Sequence, residues 1–387
     1  MPVLSKPRDI TLYNGDAFAV LPLLPAQSVR CCVTSPPYYG LRDYGVEGQL
    51  GLEATPDAYV ESLVAVFRQV RRVLTDDGTV WLNLGDSYTA HGGSRNDLGG
   101  SGLKRNVTNE ESRKRCLSDN KIYRAEATPN SRGSKQLLGI PWRVAFALQE
   151  DGWVLRQDII WAKPNPMPES VKDRCTKAHE YLFLLAKRPR YYYDTEAVKE
   201  DALRAGHKPG GHKKVDASRR DHMRDTSIPV GTSRNRRSVW TVTPKPFKGA
   251  HFAVMPEALV EPCVLAGSSE RGQCPACGAP WVRVVESQPK TQPYERGSKP
   301  SDNRAISGPQ RQGPGSGALS VITKTTGWEP SCHCSPALAP VPDVILDPFA
   351  GAGTVGVVAR RHGRKFIGIE LNTGYCQLAR ERLEGSW

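Results

Sequence analysis

The 387-residue sequence has no run of about 18 apolar residues, so no membrane-spanning helix is expected. Its N-terminal stretch, MPVLSKPRDITLYNGD, lacks the apolar core of a secretory signal, and a cytoplasmic location is the expectation. Acidic residues are in deficit, with 40 Asp and Glu against 53 Lys and Arg and a formal net charge of +13. Such an imbalance favours a polyanionic partner, of which nucleic acid is the commonest. There is no internal repeat, which argues against a solenoid or propeller. Without a secretory signal, the ten cysteines read as reduced thiols or metal ligands and not as a disulfide framework.

What is present is an alternation of strands and helices. Ile10-Thr11-Leu12-Tyr13 is a short β-prone run, stopped by Asn14-Gly15-Asp16. Val29–Thr34 reads as an apolar run around the Cys31-Cys32 pair, interrupted by Arg30, as in a strand buried on both faces of a parallel sheet, and it ends at Ser35-Pro36-Pro37. Tyr59, Leu63, Val66, Phe67, Val70 and Leu74 recur at helical spacing. Asp76-Asp77-Gly78 is expected to end that helix, with a strand returning over 79–84. Further on, the pattern predicts a helix over 141–150 and strands over 155–161 and 181–186. The fold class implied is α/β with a parallel, doubly wound, Rossmann-like sheet interrupted by polar insertions.

Those insertions set the expected organisation. Residues 1–90 form one half of the α/β core, 91–135 a basic flexible insertion, and 136–198 further core strands with a loop beside the site. Residues 199–238 form a second basic segment, 239–267 a helical region, 268–342 an insertion bearing two cysteine pairs, and 343–387 a βαβα unit. Basic clusters at Lys104-Arg105, Arg113-Lys114-Arg115, Arg219-Arg220 and 234–237 are candidates for phosphate contacts. The 199–238 segment is the preferred target-recognition surface.

The sharpest local pattern is VILDPFAGAGT at 344–354. An apolar strand leads through Asp347 and Phe349 into Gly351 and Gly353, which let backbone approach a ligand, and a helix is expected to begin at Thr354. Glu370 lies at the end of the next strand, about twenty residues past the glycines, where an acid can take both hydroxyls of a ribose. The third glycine of a dinucleotide fingerprint is missing, and Asp347 would repel a pyrophosphate. S-adenosylmethionine, with a cationic amino-acid head and no phosphate, suits the loop better. Only 17 residues follow Glu370, too few for the rest of a sheet. The chemistry is therefore expected upstream, in a circularly permuted order.

Thr34-Ser35-Pro36-Pro37-Tyr38 stands at a strand's carboxyl end, where open α/β sheets bind ligands. An exocyclic amino group on a base is a poor nucleophile because its lone pair is delocalised into the ring. Acceptors holding both its hydrogens favour pyramidal nitrogen, and Ser35 Oγ with the Pro36 carbonyl are suited to this. Pro37 stiffens the loop, and Tyr38 offers a face for an extruded base.

TSPPY with a C-terminal DPFAGAGT resembles the β-class DNA amino-methyltransferases of bacterial and phage restriction–modification systems. Asn14-Gly15-Asp16 resembles the segment whose acid, here Asp16, contacts the cofactor adenine. GWVLRQDIIWAKPNP at 152–166 is similar to the strand and loop beside the target base. His251-Phe252-Ala253-Val254-Met255-Pro256 resembles the start of the motif that closes over the methionine end. The resemblance implies methyl transfer from S-adenosylmethionine to a flipped base in duplex DNA, without a covalent enzyme intermediate. It also implies a monomer or homodimer and makes a cognate restriction endonuclease a candidate partner. Ser-Pro-Pro-Tyr is the form usual for N4-cytosine enzymes, Asp-Pro-Pro-Tyr for N6-adenine; cytosine N4 is the expected target and adenine N6 the alternative. A catalytically inactive zinc-containing DNA-binding protein is the reading from another class, and methylation of an RNA base or protein amide ranks below both.

Cys274-Pro275-Ala276-Cys277-Gly278 has the spacing of half a zinc knuckle, and Cys332-His333-Cys334 offers two more thiolates after 54 intervening residues. Cys274, Cys277, Cys332 and Cys334 are the expected ligands of a structural Zn²⁺, with His333 as an alternative to one of them and free thiols as the plain reading.

Overall fold

The structure is a computed structural model, and it describes residues 3–5, 9–89, 135–201, 233–244, 254–289, 321–334 and 338–385. The clusters Lys104-Arg105, Arg113-Lys114-Arg115 and Arg219-Arg220, and residues 251–253, lie outside them. In chain order the elements begin with β1 (Val3–Ser5), β2 (Ile10–Asn14), α1 (Ala17–Val20), β3 (Val29–Thr34), α2 (Pro56–Val73) and β4 (Leu74–Leu84). Next come α3 (Ile140–Glu150), β5 (Val154–Ala162), β6 (His179–Ala186), β7 (Glu200–Asp201), β8 (Ser233–Arg234), β9 (Val239–Thr241) and α4 (Glu257–Gly267). The last are β10 (Trp281–Pro289), β11 (Val321–Pro330), β12 (Val344–Asp347), α5 (Thr354–Arg361), β13 (Lys365–Glu370) and α6 (Thr373–Glu384). No helix among the described residues is long and apolar enough to cross a membrane.

The described chain divides into two compact units. The larger comprises residues 1–197, 237–282 and 330–387; the smaller comprises 198–236 and 283–329. Within the smaller unit, β7 pairs antiparallel with β8, and Lys199 Nζ donates to Thr323 Oγ1 at 2.8 Å, joining its two chain segments.

The larger unit is built on a nine-stranded sheet in the order β1-β2-β13-β12-β3-β4-β6-β5-β9. The run β2-β13-β12-β3-β4 is parallel throughout, whereas β6 is antiparallel to both of its neighbours. Every residue of β3 is buried, as a central strand covered on both faces requires. β3 is flanked by β12, with Cys31 opposite Ile345 and Cys32 opposite Leu346, although these partners are more than 300 residues apart. The permuted order expected from the motifs is thereby realised: the C-terminal βαβα unit fills the middle of a sheet begun by the N-terminal strands.

Helix α2 forms because Thr55 caps it, accepting from Ala58 N at 3.1 Å, and Pro56 opens its first turn. Its stripe of Tyr59, Leu63, Val66, Phe67, Val70 and Val73 is buried in one core with Cys32, Leu82 and residues of α3. Each such side chain contributes about 1.5–3 kcal/mol by leaving water. The helix ends earlier than Asp76-Asp77-Gly78 suggested. Leu74 already pairs with Val29, and the ladder resumes with Thr79 opposite Cys31. The four residues between bulge outward, where Asp77 meets Arg30 and Gly78 O accepts from Lys187 N at 3.2 Å. The turn residues were read as a helix stop, but they serve a bulge within one strand.

Candidate active site and cysteine cluster

The carboxyl ends of β2, β13, β12, β3 and β4 surround a cavity of about 770 Å³. It brings together Asp16, Ser35, Pro36, Pro37, Tyr38, Asp347, Phe349, Gly351, Thr354 and Glu370, all singled out in the sequence. Its size lies within the usual range of about 300–1,000 Å³ for sites of small organic ligands. Val254 and Met255, before the cap of α4 at Pro256, also line it.

Two strands make the centre of the site, and one hydrogen bond stitches them. Thr34 Oγ1 donates to Asp347 Oδ1 at 2.7 Å, across the β3–β12 junction. The same oxygen accepts from Phe349 N at 3.0 Å, which turns the chain out of β12. Asp347 is 2% exposed, and burial pushes its carboxyl up to about 7 in spite of the Thr34 bond. A carboxyl so placed is poised to ionise when a cation arrives.

Beyond it, Gly351 (φ 51°) and Gly353 (φ 74°) adopt left-handed backbone, and Gly353 caps α5, so helix α5 begins at Thr354 as the glycine spacing predicts. Thr354 is buried and its Oγ1 accepts from Arg382 at 3.2 Å. Glu370 accepts from Gly351 N at 2.7 Å through one oxygen and from Asn372 N at 2.8 Å through the other. Each oxygen keeps a further lone pair, so two hydroxyls can still be received. Burial raises this carboxyl too, against those backbone donors. Asp16 caps α1 by accepting from Phe18 N at 2.9 Å and reaches the same cavity.

The Ser-Pro-Pro-Tyr loop at the end of β3 is held by residues that sequence reading missed. Tyr38 Oη donates to Glu180 Oε2 at 2.7 Å and lies 3.0 Å from Asn83 Oδ1. Asn83 Nδ2 donates to Tyr181 O at 3.0 Å, and Lys163 forms an ion pair with Glu180. Ser35 Oγ lies 3.3 Å from Tyr38 Oη and 3.4 Å from Asn83 Oδ1, long contacts that draw its proton toward them and leave its lone pairs for a ligand. Tyr59 Oη donates to Pro37 O at 2.8 Å and fixes the double-proline loop. Burial and the Glu180 charge hold the Tyr38 hydroxyl well above its usual range, so it stays a donor. A buried Asn in the apolar run of β4 was the one sequence sign of this network.

Away from this cavity, the sulfurs of Cys274, Cys277, Cys332 and Cys334 lie within 4.8 Å of one another. Backbone N–H groups of Cys277 and Ala276 aim at the Cys274 sulfur and pull its thiol down to about 7. Neighbouring thiols push Cys334 up to about 12. His333 is not part of the group. Of the basic cluster at 234–237, Arg234 is paired with Glu200 at 2.9 Å.

Over residues 29–274 and 336–381 the sequence matches the N6/N4 methyltransferase family model, described as DNA methylase. The chain belongs to this DNA methylase family. Type II methyltransferase M.Cfr9I of Citrobacter freundii is 39% identical over 375 residues, covering 97% of this methylase and 88% of that protein. Type II methyltransferase M.SmaI of Serratia marcescens is 37% identical over 379 residues, covering 98% and 92%. Among solved structures, the PvuII DNA methyltransferase, named as cytosine-N4-specific, aligns with a TM-score of 0.52 at 15% identity, covering 97% of the methylase and 86% of that chain. That likeness is one of fold. It agrees with the α/β architecture.

Proposed function

We propose that the methylase transfers a methyl group from S-adenosylmethionine to N4 of a cytosine flipped out of duplex DNA. Ser35 carries the reading: a neutral hydroxyl acceptor heads the Pro-Pro-Tyr loop, where an adenine enzyme of the resembled type would carry Asp. The cavity suits the donor, since Glu370 retains lone pairs for ribose hydroxyls and Asp347 can ionise against an ammonium. Bound S-adenosylmethionine supplies an electrophilic methyl group on a sulfonium.

Ser35 Oγ and the Pro36 carbonyl accept the two amino hydrogens of the base, favouring a pyramidal nitrogen whose lone pair attacks the methyl carbon. Accepting the methyl group would leave the amino nitrogen cationic. It must then lose one proton. Ser35, Tyr38 and Glu180 form a hydrogen-bonded line for that proton, ending on a carboxylate beside Lys163. Tyr38 keeps its proton otherwise, because burial and the Glu180 charge both disfavour its phenolate.

The test is to incubate the purified methylase with unmodified DNA and labelled S-adenosylmethionine, then digest to nucleosides and identify the product by mass spectrometry. N4-methylcytosine is expected. N6-methyladenine would move the target to the alternative base, and no transfer to any duplex would overturn the reading. Ser35→Ala is expected to lose about 100-fold or more in kcat while S-adenosylmethionine affinity stays within about twofold.

A further inference from the structure

We propose that Cys274, Cys277, Cys332 and Cys334 bind a structural zinc ion that clamps the amino-terminal end of the catalytic strand β3. Four thiolates at about 2.3 Å from a tetrahedral Zn²⁺ stand about 3.8 Å apart. The sulfurs here all lie within 4.8 Å, so closing on the metal takes under about 1 Å of movement. The backbone around the first pair is already a knuckle. Gly278 N donates to Cys274 O at 2.9 Å, Gly278 has φ 72°, and Cys274 N donates to Ala279 O at 2.8 Å. The second pair is brought in by Ser331, whose N and Oγ both donate to Pro280 O. All-sulfur, closed coordination is the mark of a structural site and leaves no position for substrate.

What the knuckle touches gives the site its role. Arg30, the second residue of β3, is fully buried, and its guanidinium donates to the Gly278 carbonyl and to Gln273 Oε1, the latter at 3.0 Å. Its other partners are Asp77 in the β4 bulge and Asp343, just before β12. Asp343 also accepts from Ser269 N at 2.7 Å, immediately after α4. Gln273 exchanges both backbone hydrogen bonds with Val341. The turn that the metal would close therefore supplies two of the ligands of a buried cation shared by β3, β4 and β12. A buried guanidinium stripped of partners is strongly unfavourable, so the turn must be held. Ser35 is five residues further along β3, about 16 Å at the usual strand rise, so the metal braces the site and takes no part in the chemistry. It also closes the 54-residue excursion between Cys277 and Cys332 at its base.

The full-length protein, purified without added metal, is expected to contain about one zinc per chain by elemental mass spectrometry. Cobalt exchanged into it should give thiolate-to-metal charge-transfer bands and the visible bands of a tetrahedral site. Chelation is expected to lower Tm by about 5 °C or more. Hydrogen exchange should rise at 272–280 and at the start of β12 before it rises at 35–38. Cys277→Ser and Cys334→Ser should each lose the zinc. Should those variants fail to fold, metal content and the cobalt spectrum of the unaltered protein decide the matter. Folded protein without metal, or iron in place of zinc, would overturn the assignment. Exchange rising first at 35–38 on chelation would overturn the clamp.

Discussion

Replacing Thr34 by valine removes one hydroxyl and keeps the side-chain volume, so its effect concentrates on the bond to Asp347. That bond is 2.7 Å long, buried, and favours the ionised carboxylate. A hydrogen bond to a charged group is worth about 1.5–3 kcal/mol. At 1.36 kcal/mol for each unit, its loss should raise the Asp347 pKa from about 7 by about one to two units. S-adenosylmethionine brings an ammonium that selects the ionised form. In the parent protein, affinity should therefore be flat above pH 7 and fall about tenfold for each unit below it. In Thr34→Val the bend should move to about pH 8–9, weakening binding about 5- to 50-fold at pH 7. Equilibrium titration calorimetry from pH 6 to 9 measures this, with proton release read from buffers of different ionisation enthalpy. Asp347→Asn should bind weakly with no bend in this range. Affinity independent of pH in the parent would refute the reasoning, and a bend that Thr34→Val leaves in place would refute it and point to Glu370 as the titrating group.

Stability should show the same carboxyl from the other side. The folded pKa of Asp347 is raised from 3.8 to about 7, so its contribution to the ligand-free fold is best below pH 3.8 and is lost as pH rises toward 7. Asp347→Asn should remove that loss, visible as a flatter Tm profile between pH 5 and 8 by calorimetry. Glu370→Gln keeps shape but turns one acceptor oxygen into a donor facing a backbone N–H; S-adenosylmethionine affinity should fall about 10- to 100-fold with Tm little changed. Glu180→Gln removes the carboxylate beside Tyr38 and Lys163, and kcat measured with labelled cofactor should drop more than tenfold with KM nearly constant. Gly85→Ala would place a Cβ 2.5 Å from the Tyr38 ring; the ring must move, and single-turnover methylation should slow while S-adenosylmethionine binding stays intact.

The parts legible in the sequence were those whose pattern is local. The apolar run of β3, the stripe of α2, and the strand-glycine-helix unit of β12 and α5 each announce themselves within about twenty residues. Residues spaced by chain motifs, such as Asp347 and Glu370, could be read for the same reason. Asn83, Glu180 and Lys163 could not. They come from β4, β6 and the loop after β5, and they meet only because β6 runs antiparallel between those strands, setting Asn83 beside Leu182 and Trp161 beside Glu180. Arg30 was hidden differently: a charged residue in a buried strand has no meaning until the partners from 77, 273, 278 and 343 are known.

The two ends of β3 carry opposite demands, and the strand is arranged to meet both. On the proposed mechanism its carboxyl end must present Ser35 with free lone pairs, which requires neighbours that take protons without filling the cavity. Its amino end must not move, because a shift of one residue in register would turn Thr34 away from Asp347 and expose Arg30. The parallel pairing with β12 fixes that register through only two residue pairs, Cys31 with Ile345 and Cys32 with Leu346. Thr34 with Asp347 at one end and Arg30 with Asp343 at the other add a polar bond on each side of those pairs. Slippage would break both at once, taking from Asp347 its hydroxyl donor and from Arg30 its bond to Asp343 while Asp77, Gln273 and Gly278 still hold the guanidinium. In this methylase β12 and β3 are thus held in register by a polar bond at each end of their short ladder, even though the permuted chain separates them by more than 300 residues.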